Sequence, residues 1–402
     1  MKIFFSAGDP SGDQHAAHLI QELRSRRPDM VAEGFGGPSM RDTGCHLHFE
    51  LTELAVMGFL RVFPLLAKFR RLVKQAEAHF GADPPDAVVL VDFPGFNWWI
   101  ARAAKKRGIP VYYYLPPQLW AWAPWRIKRV RKWVDHVICA LPFEYDWYKS
   151  RGVQATWVGH PFFDEVAEKK LDAETMRRLA PDRITRCTVA VLPGSRNQEI
   201  EKNWPVMLEI IKRVSRIVPS VRWVVGNYRP HQLDRCREMQ IVANVSAPLE
   251  YFISSTSEVI EAADCCFMVS GSISLELLAR QTPGIVLFRG NSIARFVARF
   301  LMNCRFITLP NLIADQELMP EFISDGDPED DIRTITSLLT EWVSQPEVIA
   351  GRKETLAQLA GHATTTGATK RTAELLLRLM SGEGAGSEVT PRMILPFRQD
   401  AA

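Results

Sequence analysis

The chain reads as an α/β protein with a doubly wound parallel sheet in each half. Three observations carry that reading. Short apolar runs recur without polar alternation, as strands covered on both faces require, among them Ile3–Ala7, Ala87–Val91, Val111–Leu115, Val189–Leu192 and Cys265–Val269. Several of these runs stop at a small-residue or Pro-Gly turn and lead into a helix-forming segment. The length of 402 residues exceeds the roughly 250–300 at which one core stops growing, so two domains are expected.

Hydrophobic residues at 47% and charged residues at 24% are those of a folded globular protein. The net charge of +3 is too small to argue for a nucleic-acid partner. Seven cysteines without a C-x-x-C pair read as reduced core residues rather than a disulfide frame. The apolar start Met1–Phe5 is too short for a signal peptide, and no run reaches the ~20 apolar residues of a spanning helix.

The first strand, Ile3–Ala7, runs into Gly8-Asp9-Pro10-Ser11-Gly12-Asp13 and a helix over 14–26. The turn lacks G-x-G-x-x-G spacing, so it is no dinucleotide fingerprint. Gly8, Ser11 and Gly12 either shape one wall of a ligand cleft or form a purely structural turn. His46 and His48 share a strand face, as a metal pair would, and His15 and His18 sit about one helical turn apart. No carboxylate or third histidine follows at an obvious spacing, so no metal is expected.

Leu54–Val73 packs aromatic and aliphatic residues around Pro64 with Arg61, Lys68, Arg70 and Arg71 interspersed. It fits an interfacial membrane contact, and equally a deeply buried helix pair. Ala87–Val91 is a strong strand that ends on Asp92 at its carboxyl edge, where α/β sheets place reactive groups. Asp92 is therefore the general-base candidate, with capping of the next helix as the plainer alternative. Trp120, Trp122, Trp125 and Trp133 interleave with Arg126, Lys128, Arg129, Arg131 and Lys132. That composition suits a membrane surface or an anionic lipid-like ligand; nucleic acid is the poorest fit, because no recognised nucleic-acid module is present. His160, between Gly159 and Pro161 at a strand end, either faces a cleft or is a satisfied structural histidine. A polar segment with Pro181, over 171–186, reads as the interdomain link.

The second half opens with VAVLPGSRNQEI from Val189: a strand, a tight turn and a helix start. Gly194 allows close backbone approach, Ser195 adds a hydroxyl, and Arg196 can fork onto phosphate oxygens at the positive end of a helix dipole. An ordinary strand-to-helix turn is the plainer reading. It is not a Walker loop. A similar unit follows Cys265–Val269, where Ser270-Gly271-Ser272 open a helix and Glu276 lies about one turn inside it, placed for the vicinal hydroxyls of a ribose. Beyond lie the strand Gly284–Phe288, an amphipathic helix over 293–302, the stretch Leu309–Ala314 and helices over 328–380. The tail over 381–402, rich in Gly, Pro and charge, is expected to be disordered.

Taken together the motifs resemble the lipid-A-disaccharide synthase family: SAGDPSGD at Ser6, ELAVMGF at Glu53, VDFPGFN at Val91, YYLPPQLWAW at Tyr113, LPFE at Leu141, VGHP at Val158, LPGSRNQEI at Leu192, SGSISLE at Ser270 and LPNLIADQELMPE at Leu309. The chain departs from the family's pattern at Asp9 and Pro10 in the first turn and at Ser272 and Ile273 in the third.

The resemblance implies the GT-B fold, two Rossmann-like domains over 1–170 and 186–345 facing a central cleft, with helices over 346–380 crossing back to the first. It implies an inverting glycosyltransferase that moves 2,3-diacylglucosamine from its UDP carrier to the 6-hydroxyl of 2,3-diacylglucosamine 1-phosphate. Asp92 and Arg196 would be catalytic. Gly8, Ser11, Gly12, Asn97, His160, Gly194, Ser195, Ser270, Gly271, Ser272, Glu276, Asn311 and Gln316 would bind substrate. No cofactor is implied. The partners would be the UDP-sugar donor, the acylated glucosamine phosphate acceptor and a membrane surface met by Leu54–Val73 and the Trp120–Trp133 region, at the cytoplasmic face of the inner membrane. Oligomeric state stays open. The competing readings are a UDP-GlcNAc 2-epimerase-like or MurG-like enzyme, and a non-catalytic nucleotide-sugar-binding protein that docks on membranes.

Overall fold

The computed structural model describes residues 1–55, 62–181, 187–290, 304–324 and 326–385. Three expectations lie wholly or partly outside them: residues 56–61 of Leu54–Val73, the helix over 293–302, and the tail from 386. The chain divides into two compact units, one made of Met1–Asp164 and a returning segment that starts at Thr365, the other of Glu165–Thr364.

The first unit holds a seven-stranded sheet: β1 (Lys2–Ala7), β2 (Val31–Gly36), β3 (His46–Glu50), β4 (Ala87–Val91), β5 (Val111–Tyr114), β6 (His136–Cys139) and β7 (Ala155–Trp157). Its order is β3-β2-β1-β4-β5-β6-β7, and every pairing is parallel. Both faces are covered, so the side-chain alternation of a strand sends residues into two cores. Phe4, Val88, Leu90 and Tyr113 enter one; Ile3, Phe5, Val89 and Val91 enter the other. Pro10 opens the helix Pro10–Arg26, where its missing N–H is not needed, and Ala16, Leu19, Ile20 and Leu23 form the buried stripe at helical spacing.

The second unit repeats the plan with β8 (Cys187–Leu192), β9 (Val221–Asn227), β10 (Leu249–Ile253), β11 (Cys265–Val269), β12 (Gly284–Arg289) and β13 (Glu321–Ser324), in the order β10-β9-β8-β11-β12-β13. Trp204, Trp223 and Trp342 are fully buried in its core. In each sheet the strand order reverses once, between β1 and β4 and between β8 and β11. Ligands of doubly wound sheets bind outside the carboxyl ends of strands at such a reversal. Asp92 follows one of these four strands, and Pro193, Ser270 and Gly8 follow the others.

Two boundaries differ from expectation. The segment read as a plain link contains the helix Ala173–Leu179, started by Asp172, whose carboxylate accepts the Thr175 N–H at 2.7 Å. The helix Pro346–Ala363 stays with the second unit, and only Ala368–Met380 returns to the first. That return is fastened within the first unit: Asp164 accepts the Ala368 and Thr369 N–H groups at 3.3 and 3.0 Å, Arg371 donates to the Val158 carbonyl at 2.8 Å, and Ala373 and Leu376 join the core beside Ile20. Among the described residues no helix is long and apolar enough to cross a membrane.

Candidate active site

At the carboxyl end of β4 the chain turns through two left-handed non-glycine residues, Asp92 (φ +45°) and Phe93 (φ +46°). Each such residue costs about 1–2 kcal/mol unless its surroundings hold it. Here Asn97, fully buried in the next helix (Pro94–Lys105), does the holding. Its amide donates to the carbonyls of Asp92 (2.8 Å), Ser6 (3.1 Å) and Val91 (3.3 Å), and its oxygen accepts from Ser6 Oγ at 2.6 Å. The Tyr113 hydroxyl donates to the same Asp92 carbonyl at 2.8 Å. Asn97, expected among the substrate contacts, is thus buried with its hydrogen bonds made to the Asp92 turn and to Ser6.

The Asp92 carboxyl itself is held at about pKa 6, pushed up by burial and by the Asp9 carboxylate against the pull of the Phe93 amide and His15. Gly8 lies beneath the Phe93 ring: a Cβ there would fall 2.1 Å from Phe93 Cδ1, so the close approach demands glycine. Gly12 packs near Val91 at ordinary contact distance, and Ser11 is exposed at the start of its helix. His160 accepts the Phe162 N–H on Nδ1 at 3.2 Å, which leaves Nε2 as the protonated nitrogen, and its ring meets His15 edge-on at 6.2 Å. Asp92, Asp9, His15 and His160 are therefore drawn to one end of the sheet.

Two features there escaped the sequence reading. Glu144, after β6, is buried and takes the Trp120 indole N–H at 3.3 Å; burial pushes it up to about 8, with Asp92 adding to the rise against the Trp120, Ala140 and Leu141 donors. Burial thus favours its protonated form. The LPFE stretch contained it, but only the fold shows its helix turning the carboxyl inward.

The second feature is a cavity of about 540 Å³ between the helices Val62–Ala82 and Pro94–Lys105. Leu66, Phe69, Val73 and Trp99 give it an apolar wall, with Arg70, Lys74, Arg102 and Lys106 among its cations. Phe69 reaches the Phe93 ring at 6.4 Å and so joins the cavity to the Asp92 turn. Pro64 falls in the first turn of its helix, where it begins the helix rather than breaking it. The Trp120–Trp133 stretch is less exposed than its composition suggested. Trp120 is tied to Glu144, Trp122 and Trp133 pack on the core, and Trp125 alone of the four stands out, at 57% exposure.

In the second unit Gly194 has φ +122°, and a Cβ there would strike the Glu199 side chain at 2.6 Å. Arg196 caps the helix Asn197–Ile217, and its side chain is 79% exposed. Its guanidinium meets Glu199 Oε1 at 2.7 Å, while the Ser195 and Arg196 N–H groups donate to Glu199 Oε2 at 2.9 and 3.1 Å. The carboxylate three residues into the helix thus satisfies orphan N–H donors of the turn. The other turn is open: Gly271 has free space where a Cβ would stand, and Ser272 starts the helix Ile273–Arg280. Ser270 is half-buried, and the Ser274 hydroxyl donates to the Gly271 carbonyl at 2.9 Å. Glu276 is buried and receives Arg280 Nε at 3.0 Å.

Asn311 is fully buried, its amide donates to Met319 O (2.7 Å) and Glu321 Oε1 (2.8 Å), and its oxygen accepts the Leu318 and Met319 N–H groups, so it fastens the loop that follows its helix. Gln316, two residues past the end of the helix Leu309–Ala314, is exposed.

With this geometry in view, the comparisons with known proteins are as follows. The family model described as "Lipid-A-disaccharide synthetase" matches residues 3–361. A lipid-A-disaccharide synthase of Myxococcus xanthus is 33% identical over 94% of this chain and 97% of its own length; one from Coxiella burnetii is 32% identical over 81% and 86%. Among solved structures, a putative UDP-N-acetylglucosamine 2-epimerase from Listeria monocytogenes superposes with a TM-score of 0.66 at 9% identity, covering 98% of this chain and 99% of that one. The MurG of Acinetobacter baumannii reaches 0.56 at 13% identity, covering 94% and 99%. These structural likenesses show the fold alone.

Proposed function

The chain belongs to the lipid-A-disaccharide synthase family of glycosyltransferases, and from that premise we propose how its residues divide the work. The family's reaction joins 2,3-diacylglucosamine, leaving from UDP, to the 6-hydroxyl of 2,3-diacylglucosamine 1-phosphate. Asp92 takes the proton of that hydroxyl as its oxygen attacks the anomeric carbon. The bond from that carbon to the UDP phosphate breaks, the new β-1,6 bond forms, and one displacement by one base inverts the centre. The observation that carries this reading is the Asp92 carboxyl at the β1–β4 reversal, held near neutrality by burial and Asp9.

The donor falls to the second unit. Ser270, Gly271 and Ser272 at the open helix start receive the diphosphate, and Arg196 leaves Glu199 to neutralise charge developing on it. Glu276, its rotamer fixed by Arg280, takes the ribose hydroxyls. Gly8, Ser11, Gly12 and His160 border the acceptor beside Asp92, and Gln316 remains a nucleotide contact.

The cation-rimmed cavity beside Phe93 supports an acylated, phosphorylated acceptor taken from a membrane surface at the inner face of the inner membrane. Each Lys or Arg near an anionic surface is worth about 1 kcal/mol. Replacing two of its exposed cations, Arg70→Ala with Lys74→Ala, is therefore expected to weaken binding to vesicles containing anionic lipid about 20- to 30-fold. Vesicle sedimentation checks this; unchanged binding would remove these two residues from the membrane reading.

The reaction is tested with both acylated substrates in detergent micelles, following UDP release and product mass across pH. A disaccharide monophosphate is expected. A base whose folded pKa is raised to about 6 works ionised, so kcat/KM is expected to be level above that pH and to fall about tenfold per unit below it. A rate constant down to pH 4 would exclude Asp92 as the base.

A further inference from the structure

The reaction above makes no use of the cluster at the β2–β3 edge of the first sheet. There Glu33 of β2, His48 of β3 and His79 of the helix Val62–Ala82 converge, and one donor atom from each lies within 4.8 Å of the other two. His79 Nε2 is 2.7 Å from Glu33 Oε1, and His48 Nε2 is 3.4 Å from Glu33 Oε2. No carboxylate or third histidine lies at an obvious sequence spacing from His48, yet the fold brings one of each beside it. Parallel strands and a crossing helix bring together residues 15 and 31 positions apart in sequence, which a search for short spacings does not reach.

We propose that Glu33, His48 and His79 form a binding site for a divalent transition metal of the zinc class. Two neutral imidazoles and one carboxylate are the donor set such ions take, and hard ions such as magnesium or calcium do not. Bonds of about 2.0–2.1 Å in a tetrahedral shell place donor atoms roughly 3.3 Å apart. His48 Nε2 already stands at about that separation from Glu33 Oε2, at 3.4 Å, while His79 Nε2 lies 2.7 Å from the other oxygen, Oε1, so the carboxyl group turns to give both rings one shared ligating oxygen. A water completes the shell.

The independent observation is His48 Nε2. It is buried, and the 3.4 Å to Glu33 is longer than an ordinary hydrogen bond, so a ring nitrogen points into the cluster without a close partner. The surroundings restrain the rings as a metal site needs. Phe4 stacks on His48 at 5.9 Å, Phe35 meets the same ring edge-on at 6.4 Å, and Phe80 lies 6.3 Å from His79.

The consequence is structural. His79 sits on the helix that also carries Leu66, Phe69, Arg70, Val73 and Lys74 of the cavity, so a bound ion would clamp that helix to the edge strand β3 and to β2. The proposal does not rest on the assigned reaction, and its test is separate from activity.

The full chain is stripped with a chelator and titrated with Co²⁺, then with Zn²⁺. One equivalent of Co²⁺ is expected to give the visible bands of a tetrahedral nitrogen and oxygen shell, which Zn²⁺ displaces, and saturating Zn²⁺ is expected to raise the melting temperature. His48→Gln and His79→Gln should each lower the affinity at least tenfold, and the double variant should lose both the bands and the thermal shift. The wild-type spectrum and stoichiometry stand as evidence even where a variant folds poorly. Absent tetrahedral bands with no stoichiometric Zn²⁺ would leave the cluster an ion-paired triad and overturn the proposal. Bands that persist in a folded double variant would overturn it equally, because they would come from other histidines.

Discussion

Asp92→Asn is expected to lower kcat by about 10²–10⁴ while binding of the UDP-sugar, measured by titration calorimetry, stays within a factor of about three. Asparagine is the appropriate replacement for a backbone reason. Residue 92 has φ +45°, which asparagine tolerates and alanine does not, so an alanine variant would mix loss of the base with a displaced turn. The same substitution carries a second, opposite signature. In the folded chain Asp92 ionises at about 6, well above its ordinary value of 3.8, so the folded state binds the proton more tightly than the unfolded one. Stability linked to this group is thus full below the ordinary value and lost as pH rises through 6. At pH 7 the ionised carboxylate costs the fold up to about 3 kcal/mol, reduced by whatever solvent reaches it, and the neutral amide is free of that cost. Asp92→Asn should therefore melt higher than wild type at pH 7 and at nearly the same temperature at pH 4. A variant both inactive and more stable identifies a residue kept for chemistry; a variant inactive and less stable would point to a structural carboxylate instead.

Much of the fold was legible because doubly wound sheets write themselves locally. A strand buried on both faces reads as a near-continuous apolar run, and Ala87–Val91 and Val189–Leu192 are such runs. The turns at Gly8 and Gly194 were legible for a similar reason: Phe93 and Glu199 approach where a Cβ would stand, and only glycine permits it. Polar residues near helix starts were harder. Asn97 and Asn311 share composition and position with ligand contacts, but their partners, Ser6 in one case and Glu321 in the other, lie 91 and 10 residues away and become neighbours only through the sheets. The Glu33–His48–His79 cluster was hidden in the same way, since its members belong to three different elements. The start of the helix Asn197–Ile217 was legible in the polar residues after Gly194, and the helix runs on through Pro205, a residue that usually ends one. The four tryptophans misled in the other direction, because an interleaved Trp–Arg composition does not say which rings the core claims.

Asn97→Ala is expected to destabilise the first unit by about 2–4 kcal/mol and to lower kcat at least tenfold, with little change in KM for either substrate. The stability loss follows from the bonding pattern. One fully buried amide serves three carbonyls and one hydroxyl, and its removal leaves Ser6 Oγ and several main-chain oxygens without that partner in an apolar interior. The activity loss follows from what those bonds oppose. Asp92 and Phe93 are both left-handed, an arrangement that relaxes unless it is held, and the Tyr113 hydroxyl alone would then hold the Asp92 carbonyl. Tyr113→Phe, which removes the complementary bond, should cost only about 1 kcal/mol, because Asn97 still serves that carbonyl. Thermal melts and steady-state kinetics on the two variants distinguish clamp from ligand contact. A substrate-binding asparagine would raise KM and leave the melt unchanged, whereas a clamp lowers both the melt and kcat. The direction of that split matters for the base itself. Asp92 has its raised pKa only while its turn keeps the carboxyl beside Asp9 and out of water, so relaxing the turn should also move the acid limb of the pH profile below 6, toward an ordinary carboxylate.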